Sequence, residues 1–182
     1  LCSIVALNAN TGEYVWHYQT TPGEQWDYKS TMDMILADIE HNGEQRQVIM
    51  QAPTNGFFYV LDRATGELLS AKPYDKVTWA THIDLETGRP AEVAGIRMKP
   101  GEEQLIYPSP FGAHNWQAMS YNPLTGLAYI PTIRMGAVYS KNTAFERRDN
   151  FFVIGMTTTY PMTSPDDGTG GLLAWDPVLQ KE

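Results

Sequence analysis

The sequence predicts an all-β chain, a partial β-propeller of about three to four blades at the usual period of roughly 40 to 50 residues. Two observations carry that prediction. One is a recurring unit: an apolar strand end, Asp or Asn, two variable residues, then Thr-Gly. It appears as Leu7-Asn8-Ala9-Asn10-Thr11-Gly12, Leu61-Asp62-Arg63-Ala64-Thr65-Gly66, Ile83-Asp84-Leu85-Glu86-Thr87-Gly88 and Tyr121-Asn122-Pro123-Leu124-Thr125-Gly126. A further copy, Trp175-Asp176-Pro177-Val178-Leu179-Gln180, keeps the opening and loses Thr-Gly. Asp or Asn accepts bonds from a turn backbone and Gly takes its positive φ, so each copy reads as a hairpin turn. The other observation is punctuation: 15 glycines and 12 prolines in 182 residues, with 12% aromatics. That composition favours short strands over helices. A two-sheet sandwich fits the turn spacing as well, but gives no reason for the unit to recur.

Taken in order, Cys2–Leu7 reads as a strand, and Glu13–Gln19 as its partner, with Tyr14, Trp16 and Tyr18 on one face. Pro22-Gly23 stops that strand and opens the loop Glu24-Gln25-Trp26-Asp27-Tyr28. Gln47–Gln51 is a further strand, followed by the apolar run Gly56–Leu61, the turn at 62–66, and Glu67-Leu68-Leu69. Beyond the turns at 84–88 and 122–126, Leu127–Pro131 and Phe151–Ile154 read as strands. Ala137–Arg148 and Thr157–Gly171 show no strand pattern and read as long excursions. The first residues are already strand-like and Leu172–Trp175 begins another. Residues 1–182 are therefore expected to be part of a single propeller domain, truncated at both ends.

Thirteen basic against 21 acidic residues give a net charge of −8 without basic runs, which argues against nucleic acid and anionic membrane surfaces. Gly56–Leu61 is far too short to span a bilayer. A single cysteine, Cys2, excludes an internal disulfide and a Cys-based zinc site, and reads as a small buried hydrophobe.

Three segments at predicted strand ends carry unusual polar groups: Trp26-Asp27-Tyr28, the stretch from Gln51 to Arg63, and Gly112-Ala113-His114-Asn115-Trp116. In a propeller, such ends gather on one face and can share a pocket. Asp27 stands between two rings that would exclude water and raise its proton affinity, whereas a nearby cation would lower it. Either setting makes a tunable proton acceptor. The commoner use of a loop Asp is to bond its own turn. Likewise Asn115 alone would be a turn-capping amide, Trp116 a core ring and His114 structural. Trp26 and Tyr28 read as pocket wall. Glu24 is a second carboxylate close to Asp27, but one loop gives no assurance of the facing groups that glycosidase chemistry needs.

The repeat from Ala6 to Trp16 resembles the tryptophan-docking motif of quinoprotein (PQQ-dependent) alcohol dehydrogenases. The three polar segments match that family in order and approximate spacing, over essentially the whole chain. The resemblance implies an eight-bladed propeller, a periplasmic location, and oxidation of alcohols with pyrroloquinoline quinone and calcium. It also implies an alcohol substrate and a cytochrome c as electron acceptor. Asp27 matches the family's aspartate that accepts the proton and lies at the calcium. Asn115 and Trp116 match its Asn-Trp pair on the quinone. The remaining metal ligands would lie upstream of Leu1.

Two positions depart from the pattern. Thr54 stands where the family has a quinone-reaching Lys, and Thr54→Lys is expected to restore that contact. Lys29 stands where lanthanide-using relatives carry an extra Asp, which favours calcium over a more highly charged metal. The rival reading is a non-catalytic propeller that scaffolds protein partners. A scaffold has no need of Asp27 together with Asn115-Trp116.

Overall fold

A computed structural model describes residues 2–141, 143 and 155–182, and every regular element among them is a strand. Strands β1 (Ser3–Leu7) and β2 (Tyr14–Gln19) form a hairpin. Strands β3 (Ile35–His41), β4 (Glu44–Gln51), β5 (Phe57–Asp62) and β6 (Leu68–Pro73) form a four-stranded antiparallel sheet in sequence order. That is the blade of a propeller. Strands β7 (Ala80–Ile83) and β8 (Pro90–Glu92) pair as a second hairpin. Strand β12 (Ala137–Lys141) lies between β9 (Glu103–Ile106) and β13 (Met156–Thr159). Strand β11 (Leu127–Arg134) lies between β10 (Ser120–Asn122) and β14 (Thr169–Trp175). The chain is thus a partial propeller.

All five copies of the recurring unit form tight turns, four of them joining paired strands. In each, the residue at the Gly position donates its N–H to the carbonyl of the opening Asp or Asn, at 2.7 to 2.9 Å. The opening side chain receives the next amides: Asn8 from Asn10 and Thr11, Asp62 from Ala64 and Thr65, Asp176 from Val178 and Leu179. Gln180, which replaces Gly in the last copy, takes the same positive φ of 53°.

The turns also join one sheet to the next. The Trp16 ring lies against Gly66, where a Cβ would sit 2.7 Å from it, and its Nε1 donates to Arg63 O at 3.2 Å. Tyr18 repeats the arrangement, its ring against Gly88 and its hydroxyl donating to Gly88 O at 2.9 Å. Tight turns therefore serve as docking platforms for aromatic rings of a neighbouring sheet.

Strand β5 explains the apolar run in the sequence. Phe57, Phe58, Tyr59, Val60 and Leu61 are all 0% exposed. Phe57, Tyr59 and Leu61 enter one core cluster with Trp26, Tyr28 and Trp79, while Phe58 and Val60 enter another with Met50, Ile130 and Trp175. A strand buried on both faces reads as continuous hydrophobicity rather than alternation. At roughly 1.5–3 kcal/mol per fully buried large apolar side chain, this strand anchors the blade.

Several sequence expectations need correction. Ala137–Arg148 is not a bare excursion, since β12 occupies its first part. Likewise β13 and the start of β14 occupy the two ends of Thr157–Gly171, leaving 160–168 irregular. Strand β13 has the half-exposed sequence Met-Thr-Thr-Thr, which carries no apolar alternation to read. The predicted strand Phe151–Ile154 lies outside the described residues. Strand β3 went unpredicted, although Asn42-Gly43, with φ of 52° and 81°, forms its tight turn to β4. Cys2 is half-buried, and its thiol donates to Tyr28 O at 2.9 Å. Burial pushes that thiol up to about 11.

Candidate active site

The loop after β2 is tied down at each step. The Thr20 N–H and hydroxyl both donate to Cys2 O, at 2.9 and 3.0 Å. The Arg97 guanidinium donates to the carbonyls of Pro22 and Gly23, stacks 4.9 Å from the Trp26 ring, and pairs with Glu92. Glu24 turns its carboxylate back into the loop and accepts the amides of Trp26 and Tyr28. Burial raises the Glu24 pKa, the two amide bonds opposing part of that rise.

Trp26 and Tyr28 turn into the core, 5.4 and 5.8 Å from the Trp79 ring. The Tyr28 hydroxyl donates to Pro108 O at 2.9 Å, and the Tyr139 hydroxyl donates to Trp26 O at 2.9 Å. Asp27, at a positive φ of 61°, faces the other way. Its side chain is 56% exposed. The two rings therefore do not enclose the carboxylate, contrary to the sequence expectation. Trp26 does form cavity wall and Tyr28 does not. The turn-bonding expected of a loop Asp falls to Glu24 instead.

Asp27 lines a cavity of about 400 Å³, together with Asn115 and Trp116. Asp27 and the Asn115-Trp116 pair, remote from each other in sequence, are thus brought together. Phe111, Tyr139 and Tyr160 add aromatic wall, with Phe111 and Tyr160 5.1 Å apart. Asn115 also caps its own loop: Nδ2 donates to Phe111 O at 2.9 Å and Oδ1 accepts the Trp116 amide at 2.9 Å. Trp116 is no core ring, being 81% exposed. His114 is structural as expected, its ring nitrogens 2.7 and 2.6 Å from the carbonyls of Ala52 and Gln117. A larger groove of about 690 Å³ runs along β3 and holds none of these groups.

The Gln51–Arg63 stretch does not line the cavity; it supports the site from below. Asn55 is buried and donates to Thr20 O, Thr21 Oγ1 and Tyr59 Oη. Thr54, also buried, accepts the Lys29 amide at 2.6 Å and donates to Lys29 O at 3.2 Å. Gly112 lets the 110–116 segment approach this Thr, since a Cβ there would sit 2.9 Å from Thr54 Cβ and 2.4 Å from His114 O. A lysine at 54 would have to leave this packed position to reach the cavity.

The resemblance set Lys29 where lanthanide-using relatives carry an extra Asp, and the structure adds its contacts in this cavity. Its ammonium lies 3.2 Å from Asp27 Oδ2 and donates to Asp27 O at 2.9 Å and Pro110 O at 3.3 Å. Gln25 Nε2 and Trp26 Nε1, both on residues of the cavity wall, are buried with no protein acceptor. Aromatic walls and an ammonium suit a planar, oxygen-rich ligand such as a quinone. Calcium finds less here. No cluster of three or more His, Cys, Asp or Glu exists among the described residues, and the Asp27 carboxylate already faces an ammonium.

Residues 2–83 match the family described as "Glucose/ethanol/alcohol dehydrogenase, beta-propeller domain". The chain is 50% identical over 194 residues to quinohemoprotein alcohol dehydrogenase ADH-IIG of Pseudomonas putida, covering 100% of this chain and 27% of that protein. It is 46% identical over 189 residues to 1-butanol dehydrogenase (cytochrome c) of Thauera butanivorans, covering 99% of this chain and 27% of that one. It also superposes on the solved structure of ADHIIG from P. putida HK5 with a TM-score of 0.90 at 46% identity, over 99% of this chain and 28% of that one. The chain thus spans about a quarter of the length of these relatives.

Proposed function

The chain is homologous over its whole length to the quinoprotein (PQQ-dependent) alcohol dehydrogenases, and from that premise we propose that the full protein oxidises alcohols with pyrroloquinoline quinone. One observation carries this reading. Asp27 and the Asn115-Trp116 pair, contributed by two separate loops, converge on a single aromatic cavity.

The bound quinone supplies the acceptor for the hydride that leaves the alcohol carbon. Asp27 accepts the hydroxyl proton on its carboxylate. Its exposed side chain can reach a substrate entering the cavity, and the Glu24, Arg97 and Thr54 contacts hold its loop for that approach. Asn115 and Trp116 position the quinone, the amide by hydrogen bonding and the ring by packing. The Phe111, Tyr139 and Tyr160 rings give the substrate's carbon chain an apolar wall.

Calcium, a hard cation suited to oxygen ligands, would take Asp27 as one ligand and polarise the quinone carbonyl. Its other ligands would come from outside this chain. Cytochrome c as electron acceptor belongs to the same proposal, since T. butanivorans 1-butanol dehydrogenase carries that acceptor in its name. So do a periplasmic location and the placement of residues 1–182 within a single propeller domain.

The test is dye-linked alcohol oxidation by the full-length protein with added quinone and calcium. Asp27→Asn keeps size and most hydrogen bonding but cannot take the proton, so turnover is expected to fall about a hundred- to ten-thousand-fold with an unchanged fold. Unchanged turnover in Asp27→Asn removes it as the base.

A further inference from the structure

The polar groups of the cavity divide unevenly. Asp27 brings a carboxylate, and Lys29 is the one cation among the described residues that line the cavity. A bound molecule with acceptor oxygens can be met by that ammonium. It must also approach a chain with a net charge of −8 and a cavity that already holds the Asp27 carboxylate. A cation at the wall offsets both obstacles.

The construction of Lys29 separates its backbone from its side chain. Thr54 holds the backbone through Lys29 N and Lys29 O, bonds that do not depend on the residue's identity. The side chain is 39% exposed, and its ion pair with Asp27 is equally open to solvent. Such an exposed pair contributes little and is readily exchanged. Lys29 is thus fixed at its base, while its tip is held by bonds to Asp27 and Pro110 that a ligand oxygen at the cavity wall can replace.

We propose that Lys29 is the ligand-facing cation of this cavity. Its ammonium turns from Asp27 to an anionic or carbonyl oxygen of the bound quinone. The cation is delivered by the loop that carries Asp27, while the buried Thr54 beneath it acts only as the anchor. Transfer of the ammonium to the ligand also leaves the Asp27 carboxylate uncovered for the substrate proton. This assignment rests on the quinone reading above.

The experiment is a titration of the full-length apo-protein with pyrroloquinoline quinone, followed by quenching of tryptophan fluorescence, for the parent, Lys29→Met, Lys29→Arg and Lys99→Met. Loss of a charge-assisted bond predicts binding about tenfold to a hundredfold weaker in Lys29→Met. Lys29→Arg should stay near the parent, and so should Lys99→Met, whose ammonium lies outside the cavity. The parent should also lose more affinity with added salt than Lys29→Met. Equal affinity in parent and Lys29→Met overturns the assignment while leaving the quinone reading intact. So does Lys29→Arg binding as weakly as Lys29→Met. A parent that binds no quinone ends both.

Discussion

Asp27 holds a left-handed backbone, φ 61°, which a non-glycine residue keeps only when its surroundings impose it. Glu24 imposes it by accepting the amides on both sides of Asp27. Burial favours the neutral Glu24 carboxyl, so the folded protein holds that proton more tightly than the unfolded chain. Its contribution to stability is full below the ordinary carboxylate value and is lost as pH rises through the raised folded value. Glu24→Gln keeps an oxygen for both amides and removes the titration. Unfolding midpoints of the full-length protein measured across that acid window should decline with pH in the parent and flatten in the variant. At this scale the sequence showed Asp27, Asn115 and Trp116, because their residue types and order match a family. The roles of Glu24, Thr54 and Lys29 were not legible, because each depends on a distance across the loop. Glu24 and Asp27 stand close in sequence without assurance of facing each other, and the fold turns one inward and the other outward.

The turn unit does two tasks, and its glycines separate them. Gly12 and Gly66 both take positive φ, at 73° and 76°, but only Gly66 has a tryptophan ring against it. Gly12→Ala should cost about 1–2 kcal/mol, the strain of a left-handed Cβ. Gly66→Ala adds the clash with Trp16, about 1–3 kcal/mol more. Thermal melts of the full-length protein should place Gly66→Ala clearly below Gly12→Ala; equal melts would mean that the turn is not a docking platform. The hairpins were legible because Asp or Asn with Gly encodes a turn locally. The docking was not, since Trp16 and Gly66 meet across sheets. Strands β12 and β13 were hidden for a related reason: β13 is half-exposed and made of Met and Thr, so tertiary pairing rather than pattern makes it a strand.

Taken whole, the described sheets hold two to four strands and leave edges unpaired. Val5, Leu7, Tyr14, Val15 and Leu172 are exposed on those sheets. Open edges and exposed apolar residues invite association. Residues 1–182 expressed alone should self-associate and lack a cooperative unfolding transition, whereas a sharp monomeric transition would show that the segment is complete in itself. Catalysis belongs to the whole protein as well, and the most direct test of the account is a single turnover. Alcohol is mixed anaerobically with the quinone-loaded full-length protein, and reduction of the bound cofactor is followed by absorbance for the parent and Asp27→Asn. The account predicts reduction in the parent, and reduction about a hundred- to ten-thousand-fold slower in Asp27→Asn with quinone still bound. Equal rates in the two proteins, or a loaded parent that alcohol does not reduce, would contradict it.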